Sequence, residues 1–409
     1  MEIRDRFIEY VKIDTQSAYN AEVIPSTEKQ RNLAVLLEQQ LKDAGLKEVC
    51  ISKECCLYGK LEANYDGCKA PKIGFCCHMD TTPELCGTDI KPQVIENYDG
   101  RDIVLNKELV IVMEREKFEH LAAYVGDDLI VTDGTTLLGA DDKAGIAEVM
   151  QMLAYFHEHP EVKHGEIQVF FSPDEEVGCL GAKIVDKTRF CPDFAYTLDA
   201  YGLGEISYEC FNAATAVVTV TGENIHPGLS KNQMKNAILI ANKYLAMLPP
   251  AEIPAHTEMY EGYFHVISFD GEVEKTTMRF YIRDFDREQF EQRKQLMYDI
   301  KHFLDREYGE DTVCVEIEDT YYNMSEAILP RFEIVEAMEA GMRKAGFEPY
   351  IKPIRGGTDG SVMSQNGIPT PNMCDGSHNC HGRYEYVSIQ SMEKITDAIT
   401  NIVVGFAEE

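Results

Sequence analysis

The sequence predicts an α/β protein in which helices sandwich a mixed, mostly parallel sheet, with a smaller ferredoxin-like α+β domain inserted into it. Predicted strands and helices alternate over roughly the first half of the chain, which is typical of parallel sheets with helical crossovers. The order then changes to β-α-β-β-α-β, which is that of a ferredoxin-like unit, and the alternation resumes near residue 326. We therefore expect a main domain over 1–209 and 326–409, and an inserted domain over 210–325.

The predicted elements begin with a helix followed by two strands. Thr27 and Gln30 match a capping box at a helix start, apolar residues recur at helical spacing after it, and Gly45 marks its end. The runs LYGKLEA (57–63) and KIGFCC (72–77) have the apolar and aromatic residues typical of strands. The chain thus starts with the element order of an α/β domain.

A second predicted helix and two further strands follow along the chain. A helix is expected over 144–157 and must stop before Pro160, because proline cannot continue a helix. GEIQVFF (165–171) is a nearly continuous apolar run, which is typical of a strand buried on both faces of a sheet. FAYTL (194–198) is a further strand, and Asp199 ends it. The pattern therefore predicts buried strands covered by helices.

The middle of the chain has a different pattern, with strands that alternate apolar and polar residues. Its order is strand, helix, strand, strand, helix, strand, over about 214–222, 230–247, 263–271, 277–286, 286–306 and 312–319. After it come a helix near 330–345, a strand at 350–354 and a final helix after Val387. The middle segment is therefore expected to fold as a separate α+β unit.

The charge excludes several classes of protein. The 409 residues include 70 acidic and 39 basic residues, which gives a formal net charge of −31. Such a surface repels nucleic-acid phosphates and anionic membranes. No segment approaches the roughly 18 apolar residues of a transmembrane helix, and the charged start of the chain is unlike a signal peptide. The excess acid is either a solvated surface or, in part, a site that attracts cations.

Several of the 13 cysteines lie in apolar runs and are interpreted as buried thiols and not as disulfides. A chain of this length forms a core without cross-links, and it contains no C-x-x-C pair. Cys76 and Cys77 lie within an apolar run. Free thiols of this kind are typical of a reducing compartment. We therefore expect a cytoplasmic protein with no nucleic-acid or membrane partner.

Histidine and acidic residues recur where predicted strands end, which is where open α/β sheets place their sites. His78 and Asp80 follow the strand 72–77 and, as residues i and i+2 of an extended segment, can face one cavity. The imidazole could bind a metal ion with Asp80 orienting it, or the pair could lie in a solvated loop. Asp141 opens a helix, which its side chain could cap, or its two oxygens could bridge two cations.

Three more positions belong to this set. The acidic run at 174–176 follows the strand 165–171, where either exposure to water or bound cations would relieve its repulsion. In the second case one glutamate binds a metal ion and another serves as a free base. Asp199 ends its strand, and His381 lies late in the chain, where a histidine can equally be structural.

Together these positions supply two histidines and several carboxylates at strand ends or loops of one predicted sheet. Such a mixture of nitrogen and oxygen ligands suits zinc, and less specifically manganese or cobalt. The sequence contains no G-x-S-x-G nucleophile elbow, no G-x-G-x-x-G fingerprint and no P-loop. The residues therefore favour a metal site.

A series of motifs spans the chain: DTQS, HMDTTP, TDGTTLLGADDKAGIAE, PDEEVG, HPG, IRDFDR, IEDTYYNM, PIRGGTDG and HGRYE. In these motifs the sequence resembles the tripeptide aminopeptidases of the zinc-dependent exopeptidase superfamily, which also includes carboxypeptidase G and succinyl-diaminopimelate desuccinylase. The combination of LLGADDKAGIAE with PDEEVG is specific. The resemblance implies the zinc exopeptidase fold, with the inserted domain as a lid.

The resemblance also implies two zinc ions per chain, with manganese or cobalt as alternatives. Asp141 would bridge the two ions. His381 and not His378 would be a ligand, because it occupies the His-Gly position of the family motif. The remaining ligands would divide between the ions as two pairs: His78 with Asp199, and Glu176 with His381.

Further residues receive roles from the same resemblance. Asp80 would orient the first histidine ligand, and Glu175 would be the general base. In the lid, His226 would help to polarise the scissile carbonyl. Arg283 and Arg355 would contact a substrate carboxylate.

The implied activity is that of a metallo-aminopeptidase that removes the N-terminal residue of a tripeptide with a metal-bridged water and a glutamate base. Another exopeptidase or deacylase of the superfamily, such as a dipeptidase or an N-acyl amino acid hydrolase, is an alternative, and a noncatalytic peptide-binding protein is a more distant one. The family pattern is broken at Ala200 and Tyr201 and at 377–380, which bears on substrate preference. The implied partner is a small peptide, and the lid is a possible homodimer surface.

Overall fold

The structure, a computed structural model, describes residues 1–408. Its α-helices are, in chain order, α1 (Ile3–Val11), α2 (Gln30–Asp43), α3 (Ala140–Glu158), α4 (Leu180–Lys183), α5 (Ala237–Met247), α6 (Arg287–Tyr308), α7 (Ser325–Ile328), α8 (Glu333–Lys344), α9 (Asp359–Gln365) and α10 (Ile389–Glu408). Short 3₁₀ helices occupy Glu119–Tyr124, Pro227–Leu229, Pro254–His256 and Leu329–Arg331. Over the described residues, no helix combines the length and apolarity needed to cross a membrane.

The strands form four sheets, whose pairings are given below. They are β1 (Lys47–Ile51), β2 (Leu57–Leu61), β3 (Ile73–His78), β4 (Gln93–Ile95), β5 (Ile103–Asn106), β6 (Ile111–Met113), β7 (Leu129–Val131), β8 (Ile167–Ser172), β9 (Phe194–Ala200), β10 (Glu205–Ser207), β11 (Asn212–Thr221), β12 (Tyr263–Gly271), β13 (Lys275–Asp284), β14 (Val313–Tyr321), β15 (Tyr350–Ile351), β16 (Asn372–Cys374), β17 (Ser377–His378) and β18 (Tyr386–Ser388).

The first of two compact units comprises residues 1–208 and 324–352 and the described chain from residue 358 onward. Its eight-stranded sheet has the order β1-β2-β8-β3-β9-β16-β10-β15. The central strands β8, β3, β9 and β16 are parallel, whereas β1, β2 and β10 introduce antiparallel pairs. Helices α3 and α9 each contact β3 and β9. The predicted α/β class with a mixed, mostly parallel sheet is therefore confirmed, and its parallel centre brings the ends of β3, β8 and β9 together.

The first unit also contains short strands, most of which the sequence did not predict. A second sheet has the order β17-β18-β7-β4, in which every pair is antiparallel, and β5 and β6 form a separate hairpin. These strands are only two to four residues long. Segments this short carry too few residues for an alternation of apolar and polar side chains to be recognised.

The second unit comprises residues 209–323 and 353–357. Its antiparallel sheet has the order β12-β13-β11-β14, and α5 and α6 pack against it. With the chain order β11, α5, β12, β13, α6, β14, this is the ferredoxin-like arrangement expected from the sequence. Its core is built from alternate residues of the strands and one face of each helix, including Val218, Tyr244, Phe280 and Met297.

The first helix of the second unit starts later than predicted. The sequence suggested a helix over 230–247, but α5 begins at Ala237. Within the predicted range, residues 231–233 form a turn and Lys235 forms an isolated bridge with Glu223, so the backbone directly before α5 is not helical. Asn236 then caps the helix, because its side-chain oxygen accepts the N–H groups of the second and third residues that follow it.

The capping box predicted for α2 is wrong. The helix begins at Gln30, and no described side chain caps its N-terminus. The Thr27 hydroxyl donates instead to the backbone oxygen of Gln16, at 2.7 Å. The Gln30 side chain donates to the buried carboxylate of Asp174, also in the first unit, at 2.6 Å. Tertiary partners have therefore replaced the local hydrogen bonds that the pattern indicated.

Candidate metal centre

His78 is the last residue of the buried strand β3, and Asp80 follows two residues later. Nδ1 of His78 lies 3.0 Å from the backbone oxygen of Asp80 and 3.5 Å from Oδ1 of its carboxylate. The same carboxylate accepts the backbone N–H groups of Glu175, at 2.9 Å, and Glu176, at 3.3 Å. Asp80 therefore fixes the loop after β8 relative to β3. Because its contacts use Nδ1 of His78, Nε2 of that ring is free to contact another group.

Asp141 lies in the first turn of α3, between two imidazole rings. Its Oδ1 is 2.8 Å from Nε2 of His78, and its Oδ2 is 3.4 Å from Nε2 of His381. The side chain does not cap the helix, which was one interpretation of the sequence. Each of its two oxygens faces a different histidine, and this is the arrangement that a carboxylate shared by two cations requires.

Glu385, directly before β18, caps the N-terminus of α3 from a distant part of the chain. Its buried carboxylate accepts the backbone N–H groups of Leu138, Gly139, Ala140 and Asp141, at 2.6, 2.8, 2.7 and 3.2 Å. These are amides at the positive end of the α3 dipole. Burial raises the pKa of Glu385 to about 7, although the amides oppose this shift. No role was predicted for Glu385 from the sequence, yet it holds the backbone from which the Asp141 side chain projects.

The remaining acidic residues come from β8 and β9. Glu175 and Glu176 lie in the loop after β8 and are half-buried. Oε1 of Glu176 is 3.0 Å from Nε2 of His381, so the two side chains form an ion pair when the imidazole is protonated. Asp199 lies within β9, whose last residue is Ala200, so the strand continues one residue past the predicted end.

Three groups of side chains could each hold a metal ion, because their ligand atoms lie within 4.8 Å of one another. The first contains His78, Asp141 and Asp199, and the second contains Asp141, Glu176 and His381. The third contains Glu175, Cys179 and Asp359. The structure therefore brings all five predicted metal ligands together in two groups that share Asp141.

The carboxyl groups of this cluster are crowded and partly desolvated. Burial raises the pKa of the Glu175 and Asp199 carboxyls well above their usual range, and neighbouring carboxylates add to the effect. Burial likewise raises the pKa of Glu176 to about 7, with a further contribution from Asp141. Positive charge placed among these groups would relieve this repulsion.

The pKa values of the two histidines and of Asp141 shift instead toward the charged forms of these groups. Burial lowers the pKa of His78 and His381, but the facing carboxylates outweigh it and raise both values, that of His381 to about 11. Burial raises the pKa of Asp141, and the two imidazoles outweigh it and lower the value below the usual range. The cluster already favours positive charge beside Asp141. Its imidazole nitrogens and carboxylate oxygens fit divalent cations such as zinc.

His378 has different surroundings from His381. The Tyr124 hydroxyl is 2.6 Å from its Nε2, and its ring stacks on those of His120 and Tyr386. Burial lowers the pKa of His378 to about 3. Its ring is therefore neutral and belongs to an aromatic cluster, whereas His381 faces the carboxylates.

The three residues predicted to contact substrate lie in the second unit. His226 is exposed, and its Nδ1 accepts the N–H of Gly228 at 3.2 Å. Arg283 donates to two backbone oxygens, and its guanidinium lies over Tyr281. Arg355 donates to the backbone oxygens of 257, 259 and 261 and to the Thr257 hydroxyl, which occupies both of its terminal nitrogens. The substrate contacts of all three stay predictions.

We expect Glu385→Gln to weaken metal binding about 10–100-fold, as is typical when a group that orients a ligand is altered. The amide has one accepting oxygen, and its NH₂ group would face backbone N–H donors. Competition with a chelator measures the affinity, and Glu393→Gln, an exposed acid on α10, is the matched control. Wild-type affinity in the Glu385 variant would show that these contacts do not position Asp141.

Comparison with known proteins places this chain in a family. Residues 133–404 match the peptidase family M20/M25/M40. A curated relative, peptidase T of Halothermothrix orenii, is 50% identical over 403 residues, which cover 98% of each chain. The chain belongs to the peptidase family M20/M25/M40. As a member of this family it is a peptidase, and hence a hydrolase.

Two solved structures have a fold similar to that of this chain. The aminopeptidase PepT of Bacillus cereus matches with a TM-score of 0.79 and 25% identity, over 99% of this chain and 98% of the other. A tripeptidase of Staphylococcus aureus matches with a TM-score of 0.78 and 22% identity, over 100% of this chain and 98% of the other. The second likeness supports the fold alone.

Proposed function

We propose that this protein is a dinuclear zinc aminopeptidase that releases the N-terminal residue of tripeptides. The observation that carries the proposal is the position of Asp141, whose two oxygens face two different histidines within two groups of potential ligands. The peptidase T relative and the PepT aminopeptidase, which match nearly the whole chain, support an aminopeptidase activity.

The proposed ligands divide between two ions. His78 and Asp199 would hold one ion, Glu176 and His381 would hold the other, and Asp141 would hold both. When bound, a pair of divalent ions lowers the pKa of a water molecule so that it ionises near neutral pH. Asp80 acts on His78, because its contacts with Nδ1 keep Nε2 directed at Asp141.

Glu175 is the proposed general base. It would accept a proton as the water oxygen bonds to the scissile carbonyl carbon, and pass that proton to the departing amine as the C–N bond breaks. Its backbone N–H is held by Asp80, which fixes the start of the side chain next to the proposed ligands. A positioned acid–base group of this kind typically contributes roughly 10²–10⁴ to the rate.

The residues of the second unit have proposed roles toward the substrate. His226 would donate to the scissile carbonyl oxygen, where negative charge develops during attack. Arg283 and Arg355 would contact the carboxylate at the far end of the peptide. Since the terminal nitrogens of Arg355 already donate within the second unit, Arg283 is the stronger candidate.

Blocked and free tripeptides test the proposed substrate. A free α-ammonium group is positively charged and suits a strongly acidic protein, whereas acetylation removes that charge. We expect a free tripeptide to be cleaved after its first residue, and its N-acetylated form to resist cleavage, as followed by chromatography of the products. Dipeptides, tetrapeptides and N-acyl amino acids are the comparison panel. Equal cleavage of the blocked and free tripeptides would contradict an aminopeptidase.

A further inference from the structure

The third group of potential ligands lies around the proposed base. Sγ of Cys179 is 3.3 Å from Oε1 of Glu175, and the ligand atoms of Glu175, Cys179 and Asp359 lie within 4.8 Å of one another. Cys179 and Asp359 are both buried. This is the one group of the three that contains a thiol.

Only one of the two carboxylate oxygens of Asp359 accepts a hydrogen bond within the described residues. One of its oxygens accepts a hydrogen bond from the Ser172 hydroxyl. The other, Oδ1, is buried and lacks a hydrogen-bond partner within residues 1–408, although the residue is only 2% exposed. A buried carboxylate oxygen without a partner is costly. A cation held with Glu175 and Cys179 would satisfy it.

We propose that Glu175, Cys179 and Asp359 form a third, inhibitory metal site that takes a thiophilic divalent cation such as zinc or cadmium. On binding, a sulfur–metal bond forms, the Cys179 thiol gives its proton to the solvent, and the two carboxylates supply the remaining protein ligands. Glu175 then coordinates the cation and cannot accept a proton. The inhibitory part rests on the proposed role of Glu175 as the base.

The ligand set determines which cations bind. Zinc accepts thiolate and carboxylate ligands together, and cadmium shares its preference for sulfur. Magnesium and manganese prefer oxygen ligands. An excess of zinc or cadmium is therefore expected to inhibit, whereas the same excess of manganese is not.

The test uses the full chain with its first two sites filled with zinc. Equilibrium dialysis counts the ions bound in excess zinc, and cadmium titration follows the ultraviolet absorption of a thiolate–cadmium bond. Tripeptide cleavage is measured in the same titrations, relative to each protein without added metal. Cys179→Ala and Cys179→Ser remove the thiol with small changes in volume, and Cys314→Ser, at an exposed cysteine of β14, is the matched control.

We expect wild type and Cys314→Ser to bind a third ion, show the absorption band and, at saturation, lose roughly 10²–10⁴ in turnover. Both Cys179 variants should lack the additional ion and the band and resist inhibition. An equal ion count and band in wild type and the Cys179 variants would overturn the site. A third ion and band in wild type with unchanged turnover would overturn the inhibition and the role of Glu175 as base.

Discussion

Glu175→Gln is expected to lower the turnover of a free tripeptide by roughly 10²–10⁴ while the two bound ions are retained. Glutamine has nearly the same shape as glutamate, and the backbone N–H of residue 175 can still donate to Asp80. The amide cannot accept a proton from the attacking water. The change therefore removes the proposed base without removing a ligand of either of the two proposed catalytic ions.

Steady-state kinetics and metal analysis of the same preparation measure this effect. Glu161→Gln, an exposed acid of the same unit, is the matched control and should keep wild-type kcat and KM. A Glu175→Gln protein with both ions and near-normal kcat would show that another group takes the proton.

Asp141→Asn is expected to release both ions and to reduce cleavage at least as much as Glu175→Gln. The asparagine side chain has one oxygen and no charge, so it cannot serve two cations at once. Asp141 also contacts the imidazoles of His78 and His381, and an uncharged amide would hold these two rings less firmly. Both groups of ligands therefore depend on this one residue.

Metal content per chain and tripeptide cleavage measure the outcome. Glu158→Gln, at the exposed end of the same helix α3, is the control for general effects on that helix. If Asp141→Asn kept two tightly bound ions, the two sites would not share this carboxylate. A loss of one ion alone would assign Asp141 to a single site.

Much of the fold follows from patterns that are visible in the sequence. The buried strands β3, β8 and β9 are apolar runs, and the β-α-β-β-α-β order identifies the ferredoxin-like unit. Most of the short strands of the β17-β18-β7-β4 sheet and the late start of α5 were not predicted. They depend on pairing between distant segments, such as β18 with β7, which local propensity does not contain.

The candidate site was predictable where its residues follow strands. His78 and the acidic run at 174–176 lie at the ends of neighbouring parallel strands, so the sheet brings them together. Within that run, Asp174 was not distinguished from its neighbours, yet it is buried and accepts the Ser26 backbone N–H at 2.6 Å. Its partners are remote in sequence, so spacing alone could not separate it.

Glu385 was missed for the same reason. The amides that it accepts lie 244 to 247 residues earlier in the chain, and no local pattern links them. Its place at the end of the HGRYE segment, four residues after His381, was the available signal. The Cys179 thiol could likewise not be recognised as a potential metal ligand from the sequence, because the fold alone brings it close to Asp359.

The most direct test of two metal ions sharing Asp141 is stoichiometric reactivation. The protein is stripped with a chelator, zinc is returned in known amounts, and cleavage of a free tripeptide is followed at each step. We predict that the stripped protein does not cleave the peptide and that activity reaches its maximum at two zinc ions per chain, before a further excess inhibits. Full cleavage by the stripped protein, or a maximum at one ion per chain, would contradict a site that works with two metal ions.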